Sequence, residues 1–496
     1  MRRVRFEDMC AAAGARVYAG VPAKVTGVRA ASSEVCPGDV FVAVRGRRAD
    51  GHDHVPEALS RGAAALITGR RVRAPGVCCA LAEDSKKAAG LAADFFHGHP
   101  SRAFALVGVT GTNGKTTLCH LLRHIWESGG TVSGIVGTVL VECGSFSGEA
   151  TLTTPAVTGL HGIFSRMRSE GARRVCMEVS SHAIEERRVS GCDFDAAVFT
   201  NLTPEHLDYH GTMSRYAEAK KKLFTEILPA SAKKDRFSVI NIDDPVGADI
   251  AAAAPGEVVT CSAGGAAADV SVSRARHSPD GVAATLQTPW GALDVDSNLI
   301  GGHNLSNMAA AVAVALRLGE PPAAVASALS SPVFVPGRME RVGGPGCSID
   351  VFVDYAHTAD ALERALAAVR PLCSGRVFVV FGCGGDRDRA KRPEMGRVAC
   401  EGADVAVITS DNPRGEDPAA IIGEIKKGMS AGRGGAVGIE DRREAIGHAI
   451  AAAAAGDLVL IAGKGHETSQ IVGDRRLPFN DREAAAEFLK GRGEPV

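Results

Sequence analysis

Short apolar runs that end in polar or glycine-rich loops recur along most of this chain. FALVGV (104–109) reads as an apolar strand, and VCMEVSSHA (175–183), AAVFTNLTPEH (196–206) and FSVINIDD (237–244) each begin as a buried strand and finish in residues able to do chemistry. Their alternation with helix-like sequence predicts α/β units. Nearer the N-terminus, DVFVAVRG (39–46) reads as a strand and HVPEALSRGAAALIT (54–68) as a helix followed by a strand. Residues 256–300 alternate apolar and polar positions, the pattern of antiparallel β structure, and an Ala-rich helix is predicted over 307–318. The last third repeats one pattern in DVFVDYAH, RVFVVFGCGGDRD, DVAVITSDNPR and DLVLIAGKGHE. Each is an apolar strand with a polar tail, which predicts a doubly wound parallel sheet. In such sheets ligands collect beyond the carboxyl ends of the strands, so these tails are candidate ligand loops.

Two stretches interrupt the pattern: HGHPSRA (97–103) and the Pro/Gly-rich PVFVPGRMERVGG (332–344). They divide the chain into an N-terminal unit (1–102), a central unit (103–333) and a C-terminal unit (334–496). The length of 496 residues agrees with three domains, at about 150 residues each. The fold class expected is α/β, with a small N-terminal domain, a central P-loop ATPase-like domain and a Rossmann-like doubly wound C-terminal domain.

Composition narrows the function. Hydrophobic residues are 45% and charged residues 23% of the chain, ordinary values for a globular protein. The net charge of -1 argues against a nucleic-acid partner or a polybasic membrane binder, while leaving room for a local anion site. The 13 cysteines are odd in number, scattered and without a CxxC pair, so a reduced, cytoplasmic setting is expected. MRRVRFEDMC lacks the apolar stretch of a signal peptide. The most apolar C-terminal run, AIAAAAAGDLVLIAG, contains Asp457, so no membrane insertion is expected.

The sharpest local signal is ALVGVTGTNGKTTLCHLLRHIW. A strand runs into Gly111, Thr112, Asn113, Gly114, Lys115, Thr116 and Thr117, and a helix follows with Leu118, Leu121, Leu122 and Ile125 on one face. Glycines let backbone N–H groups wrap a polyphosphate at a helix N-terminus. Lys115 would neutralise the terminal phosphates and the Thr116 hydroxyl would ligate Mg²⁺. The spacing departs from the usual pattern by one residue, because Gly108 stands six positions before Gly114. Downstream, Glu178 ends a strand, His206 and His210 lie in NLTPEHLDYHGT, and Lys220, Lys221 and Lys222 follow. Oxygen ligands suit Mg²⁺, which favours Thr116 and Glu178. A histidine after a strand is more often a cap or core residue. Three adjacent lysines are more often a solvated helix face, and the pattern does not choose among them.

GTNGKTT, EVSSHA, FTNLTPEHLDYHGT, YAEAK, GGHNLSN, PGRMERV and DYAH occur here in the order of landmarks of the Mur ligases, and the chain resembles that family over essentially its whole length. These are ATP-dependent amino-acid ligases of peptidoglycan precursor synthesis. Several landmarks are shared with folylpolyglutamate synthases. The combination of GCGGDRD, DNPR and GKGHE resembles the members that add meso-2,6-diaminopimelate to UDP-N-acetylmuramoyl-L-alanyl-D-glutamate.

The resemblance implies roles residue by residue. Lys220, as the lysine of YAEAK, would carry a CO₂-derived carbamate and join Thr116, Glu178 and His206 around Mg²⁺. Lys115, Glu178, His206 and Lys220 would be catalytic. Asn304 and Asn307 match adenine-side positions, and Arg338 and Asp354 would reach the ATP from the C-terminal unit. Ser32, Arg47, Arg48 and Ala49 match contacts to the uridine nucleotide, although the family commonly has Asp-Ser-Arg where this chain has Ala31-Ser32-Ser33. Thr153, Thr154, Ser180, Glu186 and Arg188 match contacts to the muramoyl peptide. Diaminopimelate has a second zwitterionic centre, and its carboxylate calls for arginine. Arg387 and Arg414 would supply it, with Asp411, Asn412, Pro413, Gly463 and Glu467 completing the amino-acid site. The expected partners are these small molecules, and a monomer is expected. The rival expectations are a lysine-adding Mur ligase, a folylpolyglutamate synthase-like enzyme, or a nucleotide-binding scaffold without turnover.

Overall fold

Strand-forming runs assemble into three large sheets and two two-stranded ribbons in the computed structural model, which describes residues 2–21, 23–46, 49–148, 152–278, 280–344, 346–429 and 435–496. The N-terminal sheet has the order Arg16–Ala19, Cys78–Leu81, Ala65–Thr68, Val40–Val42, Val28–Arg29. Only its first strand is antiparallel. Val40, Phe41 and Val42 are all buried, as expected of a parallel strand covered on both faces.

The second sheet has eleven strands. At its centre Ala105–Thr110 lies between Arg174–Glu178 and Ala196–Phe199, both parallel to it. This places the loops after residues 110, 178 and 199 at one edge of the sheet. Phe237–Asn241 and Glu257–Ser262 extend the parallel run. The antiparallel pattern read over 256–300 applies only to Val270–Ser278, Gly281–Gln287 and Leu293–Ser297. Glu257–Ser262 instead buries Val259 and Cys261 in the core beneath the neighbouring helices and pairs in parallel.

The helix expected over 307–318 begins earlier, at Gly302, and runs to Arg317. Its first turn is the polar HNLSN, which breaks the apolar pattern because it faces the site rather than the core. This helix and Lys115–Ser128 share one core with the sheet, around Trp126 and Met308. A second core, around Phe164 and Phe224, covers the other face.

The C-terminal sheet runs Glu340–Val342, Asp350–Asp354, Leu458–Ala462, Val377–Phe381, Val405–Ile408, Gly435–Gly438. The four repeated apolar runs are its four central strands, all parallel, with a hydrophobic core on each face. Beneath the end of Leu458–Ala462, Arg442 and Asp481 form an ion pair with no side-chain exposure on either partner. Arg442 donates Nε and Nη2 to the Asp481 carboxylate at 2.7 Å each, and Nη2 also donates to the Ala462 carbonyl at 2.9 Å. Among the described residues, no helix is long and apolar enough to cross a membrane.

Removing one member of a buried pair strands the other charge in a low-dielectric interior. Arg442→Met should therefore destabilise the protein by about 3–5 kcal/mol, read as a fall in Tm. Adding Asp481→Leu should recover most of the loss. An unchanged Tm for Arg442→Met would show that the pair does not hold this corner together.

Candidate functional site

The phosphate loop follows from the order of strand, glycines and helix. Ala105–Thr110 ends at residues 111–114, and the helix Lys115–Ser128 starts at Lys115. Gly108 belongs to the strand, where an added Cβ would stand 2.7 Å from Phe194. Its offset from the usual motif is therefore a matter of packing. The loop glycines are Gly111 and Gly114. Gly114 has φ +86, and a Cβ there would stand 2.4 Å from Asn307 Oδ1. Asn307 donates to Asn304 Oδ1 at 3.0 Å, and Asn304 donates to the Ile300 carbonyl at 2.8 Å. Lys115 Nζ bonds the Gly111 and Thr112 carbonyls at 2.9 and 2.7 Å. Asn201, which the sequence reading missed, clamps the loop from the neighbouring strand end: its Oδ1 accepts from Asn113 N and its Nδ2 donates to Asn113 O.

Glu178 is the hub beside the loop. Its carboxylate is buried. Oε1 accepts from Thr116 Oγ1 at 3.0 Å and from Thr138 N at 2.9 Å, while Oε2 accepts from Thr138 Oγ1 at 3.0 Å. Thr138 was also missed, since nothing in VGTVLV marks it. Thr138 Oγ1 also lies 3.1 Å from Thr153 Oγ1, whose own hydroxyl is free to donate to it. A buried carboxylate ringed by threonine hydroxyls is a hard-oxygen donor set that fits Mg²⁺. Among the described residues, no group of three or more His, Cys, Asp or Glu side chains gathers into a metal site. The fit therefore rests on hydroxyl oxygens and Glu178. His206 lies in the adjoining wall, 3.5 Å from Glu205. Burial holds its imidazole below the ordinary histidine range, outweighing the pull of Glu205, and the Lys115 and Lys220 charges act in the same direction as burial.

Lys220 is set apart from its two neighbours by burial. Its side chain lies within the protein, with Nζ donating to the Gly111 carbonyl at 2.8 Å and 4.5 Å from the Tyr216 ring centre. Burial, and then the Lys115 charge, hold its ammonium well below the usual lysine range. Lys221 and Lys222 lie on the more open face of the same helix, and Lys222 pairs with Glu185. The YxxAK spacing carries this distinction: Tyr216 and Lys220 lie one helical turn apart and on one face.

The C-terminal unit reaches this site directly. Arg338 Nη2 donates to Thr116 Oγ1 at 3.3 Å, and the guanidinium stacks on Tyr355. Asp360 accepts from Asn113 Nδ2 at 3.0 Å, and His357 lies 3.6 Å from Glu205. Asp354 is held by the Met339 and Ala356 amides at 2.8 Å each. Burial pushes its carboxyl up, outweighing Arg338 and these amides. The space between the units is a cleft of ≈ 530 Å³ lined by Thr112–Thr117, Thr138, Thr153, Glu178, Ser180, Asn304, Asn307, Arg338 and Asp354, among others.

A second set of residues gathers at the ends of the C-terminal strands. Arg387 and Arg414 straddle Gly384, where a Cβ would stand 2.8 Å from Arg414 Nη1 and 3.7 Å from Arg387 Cγ. Arg414 has φ +50 and donates to the Gly385 carbonyl at 2.9 Å. Burial and the Arg387 charge lower its affinity for its proton, outweighing Asp411, Glu467 and Asp386. Gly463 has φ +116, and a Cβ there would stand 2.8 Å from Asp411 Oδ2. Asn412 donates to Glu467 Oε2 at 2.9 Å. Pro413 accepts from Glu416 N at 3.0 Å, closing the turn. Behind the loop, buried Arg392 grips Glu416 through both amino groups. His466 stacks on Tyr355, so this cradle adjoins the cleft.

The remaining expected residues are more dispersed. Thr154 Oγ1 donates to the Glu178 carbonyl, and Ser180 caps the helix Ser181–Glu185. Glu186 is paired with Arg188 at 2.6 Å, and Arg188 also donates to the Thr154 carbonyl. In the N-terminal unit, Ser32 Oγ donates to Glu57 at 2.8 Å, and the Ala49 carbonyl accepts from Gly46 N at 2.9 Å. Arg47 and Arg48 lie outside the described residues.

A glycine-rich phosphate loop beside a buried carboxylate, facing the strand ends of a second doubly wound sheet, defines a nucleotide-using enzyme assembled from separate units. The chain belongs to the Mur ligase family. The Mur ligase middle domain matches residues 109–315, the Mur ligase glutamate ligase domain residues 337–465, and the catalytic domain of the Mur ligase family residues 24–90. It is 44% identical over 477 residues to the UDP-N-acetylmuramoyl-L-alanyl-D-glutamate--2,6-diaminopimelate ligase of Geobacillus thermodenitrificans, across 96% of this chain and 97% of that relative. A solved structure of a ligase of the same name is 31% identical, with a TM-score of 0.72 over 99% of this chain and 100% of the other. The MurF ligase from Thermotoga maritima, solved in complex with ADP, shares the fold at 20% identity, with a TM-score of 0.61 over 94% of this chain and 97% of that one.

Because Gly114 has a positive φ and faces Asn307, Gly114→Ala should displace the loop from the HNLSN helix. ATP affinity, read by fluorescent-nucleotide titration, should fall by roughly tenfold or more, a shift of about 1.4 kcal/mol. Wild-type affinity in this variant would mean that the loop does not hold the nucleotide.

Proposed function

We propose that this chain is the ATP-dependent ligase that joins meso-2,6-diaminopimelate to UDP-N-acetylmuramoyl-L-alanyl-D-glutamate, working in the cytoplasm and forming ADP. One observation carries the reading: the Arg387–Arg414 pair and the Glu467 acid adjoin a phosphate-loop cleft in the same molecule. A distal carboxylate suits the two guanidiniums, and a distal ammonium suits Glu467. The N-terminal unit (1–102) would hold the uridine nucleotide through Ser32, Arg47, Arg48 and Ala49. The muramoyl peptide would reach the cleft past Thr153, Thr154, Ser180, Glu186 and Arg188.

Two chemical steps follow. The substrate γ-carboxylate attacks the ATP γ-phosphate, giving an acyl phosphate and ADP. The diaminopimelate amine then attacks the acyl carbon, forming the amide and releasing phosphate. Such transfers need positioning and charge stabilisation more than covalent help. Lys115 offsets repulsion between carboxylate and triphosphate, and the loop amides hold the phosphates. Asn304 and Asn307 support the adenine side, while Arg338 and Asp354 complete the site from the C-terminal unit. Mg²⁺, held through Thr116 and Glu178 with His206 nearby, would screen the triphosphate charge. Closure of the cleft would exclude water, which would protect the acyl phosphate.

Lys220 would act as a carbamate. Burial and the Lys115 charge shift its amine toward the neutral form, the form that adds CO₂ with loss of a proton, and the product would offer oxygen to the cation. The amine itself, a donor to the Gly111 carbonyl, does not suit a hard cation.

The test is ADP formation in the presence of the UDP-muramoyl dipeptide, with meso-diaminopimelate, L-lysine or L-glutamate supplied in turn. Turnover should depend on diaminopimelate. Preference for lysine, or turnover on a folate with glutamate, would overturn the reading, as would no turnover with any of them. Lys220→Ala should abolish ligation and regain part of it with added short carboxylic acids. Full activity without rescue would remove the carbamate.

A further inference from the structure

Within the strand-end cradle one cation has no role in the reading above. Lys464, in GKGHE, has a fully buried side chain between the two loops that would bind the amino acid. Its Nζ donates to Glu467 Oε2 at 2.8 Å and to Asn412 Oδ1 at 3.1 Å. Asn412 Oδ1 also accepts from Ile471 N at 2.9 Å, and Asn412 Nδ2 donates to Glu467 Oε2. Three side chains are thus locked together. Both partners of Lys464 are oriented by it: Asn412 cannot flip its amide without opposing an N–H to the ammonium, and Glu467 is tethered by Oε2, which leaves Oε1 with no bond to Lys464 or Asn412.

We propose that Lys464 is a positioning residue of the amino-acid site, fixing the Glu467 carboxylate and the Asn412 amide in the orientation that receives the distal ammonium of a diamino diacid. The inference rests on the reading of this cradle as the diaminopimelate site and adds to it the device that keeps its acid ionised and aimed. Burial alone would push the Glu467 carboxyl up, but the Lys464 charge and the bonds from Lys464 and Asn412 outweigh it, and the carboxyl lies below its ordinary range. The other charged or titratable groups around Glu467 are His466 beside it, Arg414 and Asp411 on the DNPR loop, Arg442 beneath, and Tyr355 from the cleft wall. Among the described residues none of these donates a hydrogen bond to the Glu467 carboxylate, so Lys464 is the cation in contact with it.

The sign of the pH effect follows. With Lys464 present, Glu467 stays ionised across the neutral range and attraction for the ammonium does not vary there. Without it, burial dominates, Glu467 takes up a proton as pH falls, and attraction is lost toward the acid side.

The experiment measures KM for diaminopimelate, ATP and the UDP-muramoyl dipeptide in the full-length enzyme between pH 6 and 9. The variants are Lys464→Met, Glu467→Gln and the two combined. Lys464→Met should raise KM for diaminopimelate roughly tenfold or more, with the other two KM values changing little. The rise should be greatest at pH 6, where the wild type shows no matching change. In the Glu467→Gln background the same replacement should cost less than about threefold, since its effect passes through Glu467. The combined variant leaves no unpaired buried charge, so it remains informative if Lys464→Met alone folds poorly. Equal increases in all three KM values, a pH profile like that of the wild type, or an undiminished cost in the Glu467→Gln background would each overturn the proposal. A wild-type enzyme that forms ADP without regard to diaminopimelate would instead overturn the underlying assignment of the site.

Discussion

The site is organised around the Glu178 carboxylate, buried at the end of a central strand and held by Thr116 and Thr138. A buried carboxylate is tolerated only when its oxygens are bonded. Here the bonds come from two different segments, the first turn of the phosphate-loop helix and the turn after Ser133–Val136. Glu178 therefore sets the distance between the loop and the Thr153–Thr154 segment. Gly137 is part of the same constraint, because a Cβ there would stand 2.4 Å from Glu178 Oε1.

Charge placement then divides the work between the two sheets. Around the phosphate loop, Lys115 and Lys220 both lie near the Gly111 carbonyl, and their mutual repulsion, added to burial, favours a neutral Lys220. Around the C-terminal strand ends, Arg387 and Arg414 repel one another, and Glu467 balances a lysine. The first arrangement suits a polyphosphate with an accompanying cation, the second a ligand with charges of both signs. Arg338, Asp360 and His357 cross between them; on the proposed mechanism, an amine presented by one sheet would meet an acyl group activated on the other. Proximity of this kind accounts for much of the rate in group transfer.

Much of this was legible in the chain because it depends on local order. Strand, glycines, lysine and helix in sequence specify a phosphate loop, and four apolar runs with polar tails specify a parallel sheet whose loops share one edge. The period of apolar residues also carried the buried face of the Lys115–Ser128 helix. It failed at Gly302–Arg317, whose polar first turn faces a site, and at Glu257–Ser262, where alternation reflects unequal cover on two faces rather than antiparallel pairing.

Tertiary structure alone decided which polar groups meet. Nothing local marks Thr138 as a partner of Glu178, Asn201 as a clamp on Asn113, or Lys464 as the cation that orients Glu467 and Asn412. Apart from the Lys464–Glu467 pair, three residues apart, these contacts join residues far apart in sequence, and their energies arise from burial at one point in space. The choice of Lys220 over Lys221 and Lys222 lies between the two cases. Its spacing from Tyr216 is written in the chain, but the perturbation of its amine exists only because the fold closes over it beside Lys115. The chain by itself therefore determined the elements and their order. Packing decided which of their side chains are desolvated together, and desolvation is what turns common residue types into a site.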